Sequence, residues 1–133
     1  MNSALILASL LCSASAALVK KTKLDINQKA YIEGAAVLGD GAGQGNLNVC
    51  MELADHFVAN PNAPEVKVCG TGIKMTVYLL GRCGEGSLTA AKMAHTWTIG
   101  ACDTGAPPST CATGGPSSDK RMGVSQSYKI TQC

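Results

Sequence analysis

The chain has 133 residues, and its 11 Lys and Arg against 9 Asp and Glu leave a net charge of +2. One domain fits this length, and 46% hydrophobic with only 15% charged residues excludes compositional disorder. Near-neutrality argues against nucleic acid as a partner, since phosphate binding needs a concentrated basic surface, and 4% aromatics leave little for a stacking platform.

Residues 1–16 read MNSALILASLLCSASA, with no charged side chain. The apolar run from Ala4 to Cys12 has the length of a signal-peptide core and is too short to span a bilayer. Ser13-Ala14-Ser15-Ala16 supplies small residues for cleavage, so residues 1–16 are expected to direct secretion. Residues 17–23 hold Lys20-Lys21, either a dibasic processing pair closing a short pro-segment or a plain basic tail. The folded domain is then 24–133. Loss of the leader removes Cys12 and leaves six cysteines: Cys50, Cys69, Cys83, Cys102, Cys111 and Cys133. An even count in a short secreted chain predicts three disulfides. Without Lys20, Lys21 and Lys23 the domain charge is 8 − 9 = −1.

Gln28 to Leu38 reads as a strand interrupted at Gly34-Ala35-Ala36. Gly39 to Gly45 is a glycine-rich connector; it has neither Gly-x-Gly-x-x-Gly nor Gly-Lys-Ser/Thr, so it is no phosphate loop. Asn46 is positioned as an N-cap, and Leu47, Cys50, Met51, Ala54, Phe57 and Val58 recur at helical spacing up to Asn60-Pro61. Glu65 to Gly70 is a short strand, and Ile73 to Leu79 alternates as a half-buried one. Gly81 to Gly86 is a turn around Cys83. Ser87 opens a second predicted helix, with Ala90, Met93, Ala94 and Trp97 on one face and Gly100 at its end. Asp103 to Asp119 reads as a long loop carrying Cys111. Lys120-Arg121 at its far end is either a second processing pair or, as the sequence favours, part of an exposed loop that is not cleaved. Val124 to Thr131 alternates again. The order strand, helix, strand, strand, helix, strand predicts an α+β fold: one antiparallel sheet with two antiparallel helices on one face, in a split βαβ arrangement.

Catalytic and metal signatures are missing. There is no Gly-x-Ser-x-Gly, no Cys-x-x-Cys and no His-x-x-x-His. Asp55-His56 are sequence neighbours, which do not face each other on a helix. No enzyme activity, metal or cofactor is expected.

The string Lys67-Val68-Cys69-Gly70-Thr71-Gly72, followed by an alternating strand, resembles the corresponding segment of the killer protein four-like family. These are virally encoded killer toxins of smut fungi and their fungal homologues. Leu24-Asp25-Ile26-Asn27 is similar to the mature N-terminus of that toxin. Gly45-Asn46-Leu47 matches a helix start, Gly100-Ala101-Cys102 a helix end, and Gln126 to Cys133 the closing strand. The resemblance implies an α/β sandwich of one antiparallel sheet under two helices. It also implies a secreted toxin that stops competing fungal cells by inhibiting a cell-surface calcium channel. Lys67 corresponds to a lysine that matters for that activity; on pattern alone it is an ordinary solvated strand lysine. Lys74 is a second candidate for target contact. This chain has fewer cysteines than the toxin: Gln28 and Ala91 stand at two of the family's cysteine positions, and Cys111 has no clear counterpart. By family analogy Cys69 pairs with Cys133, Cys50 with Cys83, and Cys102 with Cys111. The expected product is a monomer that binds a calcium channel or another extracellular protein of a target cell. The alternative is a secreted effector that binds a host protein or wall component during plant infection.

Overall fold

Ala30 and Ile32 are buried between the half-exposed Lys29 and Tyr31, and this alternation makes β1 (Lys29–Ile32). Glu33 and Gly34 both take positive φ, 50° and 79°, a two-residue turn whose twist suits a tight hairpin to β2 (Ala35–Leu38). The chain is seen here in a computed structural model, which describes residues 23–58, 60–85, 95–103 and 105–133. β1 also pairs with β4 (Val66–Cys69), and β4 with β7 (Cys111–Gly114), giving an antiparallel sheet of order β2-β1-β4-β7. A second antiparallel sheet has the order β3-β8-β5-β6, from β3 (Cys50–Glu52), β5 (Ile73–Tyr78), β6 (Thr96–Ile99) and β8 (Ser127–Gln132).

The inward residues of the two sheets form one core. Ala30, Ile32, Val66 and Val68 come from the first sheet, and Ile73, Met75, Val77, Ile99, Tyr128 and Ile130 from the second, with Leu38, Leu53 and Met122 closing the ends. The chain passes from one sheet to the other through Gly70-Thr71-Gly72. Gly70 and Gly72 have φ of 90° and 72°, a region that suits glycine, and a Cβ on Gly70 would stand 2.8 Å from the Asn27 carbonyl oxygen. The sharpest string in the sequence is therefore first of all a crossover between sheets.

The fold is mostly β, and this corrects the expected α+β architecture of one sheet under two helices. The helix expected from Asn46 to Val58 is replaced by three pieces. Leu47 bridges to Ile130, Cys50–Glu52 is a strand against β8, and only Asp55–Val58 (α1) is helical. Asn48, at φ 62°, turns the backbone out of the right-handed helical region, and pairing with β8 then outcompetes the helical periodicity. Of the second expected helix, residues 87–94 lie outside the described residues. Its C-terminal part, Thr96–Ile99, is a strand paired with β5 from Met75↔Ile99 to Tyr78↔Thr96. The long loop after Asp103 contains β7. The expected leader, residues 17–22 and the Lys20-Lys21 pair also lie outside the described residues. Among the described residues no helix is long and apolar enough to cross a membrane.

Three disulfides staple the sandwich: Cys50–Cys83, Cys69–Cys111 and Cys102–Cys133. The pairings expected by analogy for Cys69 with Cys133 and Cys102 with Cys111 are exchanged, and the register explains why. The Gly70 N–H donates to the Thr110 carbonyl, so Cys69 and Cys111 fall at a non-hydrogen-bonded pair, where opposed side chains come closest. Their Cα atoms are 4.0 Å apart. Gly72 donates to the Ala101 carbonyl and accepts from the Cys133 N–H, which brings Cys102 beside Cys133 at the far end of the other sheet.

Candidate functional site

Lys67 is the exposed residue between buried Val66 and Val68, so β4 turns it onto the outer face of its sheet. Tyr31 on β1 and Thr113 on β7 are its register partners on either side. Together with Gly34, Glu65 and Val66 they line a groove of about 420 Å³. The Lys67 ammonium lies 5.9 Å from the centre of the Tyr31 ring, within reach of a cation–π contact.

The surrounding acids are committed elsewhere. Glu65 Oε1 accepts from the Ser117 N–H at 2.9 Å, so this carboxylate holds the turn at Gly115–Ser118. Asp40 accepts from the Tyr31 hydroxyl at 2.6 Å and lies 3.9 Å from the Lys29 ammonium. The Tyr31 phenol is pushed up from its ordinary pKa, first by that hydrogen bond, then by partial desolvation and the Asp40 charge. Among the described residues, no carboxylate lies within ion-pair distance of Lys67. Its charge faces the groove unspent. Such a surface can bind and position a partner group.

Lys74 is placed differently. On β5, Ile73, Met75 and Val77 point into the core, so Lys74 faces outward from the second sheet, opposite Thr131 on β8. The two lysines singled out in the sequence therefore lie on opposite outer faces of the sandwich. Tyr31, Glu65 and Thr113 were not singled out. The period-2 relation of Glu65 to Lys67 was readable, whereas the neighbours on β1 and β7 depend on pairing that one strand does not encode. His56 is exposed on α1, and His95 is exposed just before β6. Among the described residues no three His, Cys, Asp or Glu side chains converge on a common point.

A second polar cluster joins β6 to the loop before β8. The Trp97 indole N–H donates to Asp119 at 3.0 Å, and Arg121 forks onto both Asp119 oxygens at 3.0 and 2.6 Å. Comparison with protein-family models found no match, and comparisons with characterised proteins and with solved structures found none either.

Proposed function

We propose that the protein is a secreted, killer-toxin-like protein that inhibits growth of competing fungal cells by binding a calcium channel at their surface. It acts by contact, without catalysis. The observation that carries the reading is the position of Lys67. The residue marked by the family resemblance stands in a groove on an outward sheet face, its charge unspent on any described carboxylate. Three disulfides in so small a chain suit an oxidising, extracellular setting, in line with the leader-like first residues. The sandwich departs from the fold the resemblance implies, so the reading rests on the Lys67–Gly72 string, the leader and the groove.

A second reading is an effector that binds a host protein or wall component. The mixed charge of the Lys67 surroundings, with Glu65 in the groove and Asp40 behind Tyr31, favours a ligand of mixed polarity over a purely acidic channel mouth. The deciding experiment applies purified protein to sensitive fungal cells, with and without excess calcium. Slowed growth that calcium restores, and that Lys67→Ala abolishes, supports the toxin. Undisturbed growth, together with expression confined to host infection, supports the effector.

A further inference from the structure

Lys120-Arg121 is a dibasic pair of the kind that processing proteinases recognise, although the sequence favours an uncleaved loop there. We propose that the folded protein keeps this site shut, with Asp119 and Trp97 as the guard. A processing proteinase hydrolyses the bond after the second basic residue. Water adds across the Arg121–Met122 peptide bond, leaving a carboxylate on Arg121 and an amine on Met122. The enzyme must hold several residues on each side in an extended form, so a closed site has to open locally first.

Here every neighbour of the scissile bond opposes that opening. Lys120–Val124 is a turn of 3-10 helix, in which the Met122 N–H donates to the Asp119 carbonyl at 2.9 Å. The Asp119 side chain caps the turn by accepting from the Arg121 N–H at 3.0 Å, and it also takes the guanidinium. Trp97, on β6 of the second sheet, fixes that carboxylate from behind. On the other side of the bond Met122 is 2% exposed within the core. Gly123 is packed so closely on the Pro61 carbonyl that no Cβ fits. The basic side chains are on the surface, but the peptide bond beside them is not available as a strand. This inference is independent of the proposed function.

The test is digestion of the oxidised full chain by a dibasic-specific subtilisin-class proteinase, with a linear peptide of residues 115–126 as the reference. The wild-type chain is expected to stay intact after Arg121 while the peptide is cut. Asp119→Ala is expected to be cut there at least about tenfold faster than wild type, since a cap and an ion pair are both lost. The product should run as one species until reduced, because Cys133 stays bridged to Cys102. Trp97→Phe, which keeps an aromatic ring but removes the indole donor, should be accelerated less, and it serves alone if Asp119→Ala does not fold. Ile130→Val, a mild core change that removes none of the guard's hydrogen bonds, should leave cleavage at this bond near the wild-type rate. Wild-type cleavage as fast as the peptide overturns the proposal. So does an Asp119→Ala or Trp97→Phe rate no faster than wild type, or an Ile130→Val rate equal to that of the guard variants.

Discussion

Ser127 is fully buried, and its hydroxyl serves two backbone groups, one buried and one part-buried. It donates to the Leu80 carbonyl at 2.5 Å and accepts from the Cys83 N–H at 2.8 Å, fastening the turn at Gly81–Gly84 to β8. Ser127→Ala strands both and should cost about 1–3 kcal/mol in a urea titration of the oxidised protein. Ser117→Ala, whose backbone alone is engaged, should stay within about 0.5 kcal/mol of wild type. Equal midpoints for the two variants would contradict this assignment. Asp119 adds a pH signature. Hydrogen bonds from the Arg121 side chain, then from Trp97, then from the Arg121 backbone hold its carboxyl well below the usual carboxylate range. A depressed folded pKa contributes stability above the unfolded value, near pH 4, and loses it as pH falls toward the folded value. Asp119→Asn should therefore melt below wild type at about pH 7, and the gap should narrow as pH drops under about 4. An unchanged gap at about pH 3 would show that the charge is not what stabilises. Neither residue was marked in the sequence: the Ser127 hydroxyl and the Trp97 contact of Asp119 depend on groups 47 and 22 positions away, which only the closed sandwich assembles, and the local Asp119–Arg121 pair has no distinctive pattern of its own.

Among the elements, β7 shows most plainly what the bridges do. It is an edge strand of four residues, held on one side by β4 and by Cys69–Cys111. The pairing expected by analogy made the Cys111 loop short and its loss cheap. The observed spans are 42 residues for Cys69–Cys111 and 31 for Cys102–Cys133, which by chain entropy are both worth about 4 kcal/mol. Cys69→Ser/Cys111→Ser and Cys102→Ser/Cys133→Ser should thus lower stability by amounts within about 0.5 kcal/mol of each other. Non-reducing peptide maps should link Cys69 with Cys111; a Cys69–Cys133 peptide would refute the register of β4 and β7. β4, β5 and β8 were legible because apolar residues alternate along them, most regularly in β5. β3 and β6 were read as helix because Leu47, Cys50, Met51 and Ala54, and likewise Ala90, Met93, Ala94 and Trp97, happen to recur at helical spacing. Thr96-Trp97-Thr98-Ile99 also carries a period of two, with Ile99 inward and both threonines exposed. That shorter signal is the one tertiary pairing selects. β7 was hidden because its side chains, Cys-Ala-Thr-Gly, are too small to show a pattern. Its partner strand and its disulfide, more than its own apolar content, define it.

For the molecule as a whole, the two-sheet architecture separates what the sequence placed together. Lys67 and Lys74 lie seven positions apart in the chain, yet the crossover at Gly70–Gly72 puts them on outer faces that look in opposite directions. A partner seated in the Lys67 groove does not also contact Lys74 on the same patch. Under the proposed function, Lys67→Ala should abolish growth inhibition, while Lys74→Ala should leave the inhibitory concentration within about twofold of wild type. Both should leave thermal stability nearly unchanged, as exposed strand substitutions do. Whole-molecule charge sets the salt dependence. With a net charge of +2 over the full chain, or −1 over the expected domain 24–133, there is little long-range field to steer a cation toward an acidic target, so the Lys67 contribution must act at short range. Raising ionic strength from about 0.05 to about 0.3 M shortens the screening length without reaching into a closed contact, and inhibition should weaken by no more than about threefold. A steeper loss would mean that many surface charges share the attraction. The groove around Lys67 would then be only one part of a wider electrostatic footprint, and Lys74→Ala would be expected to weaken inhibition as well.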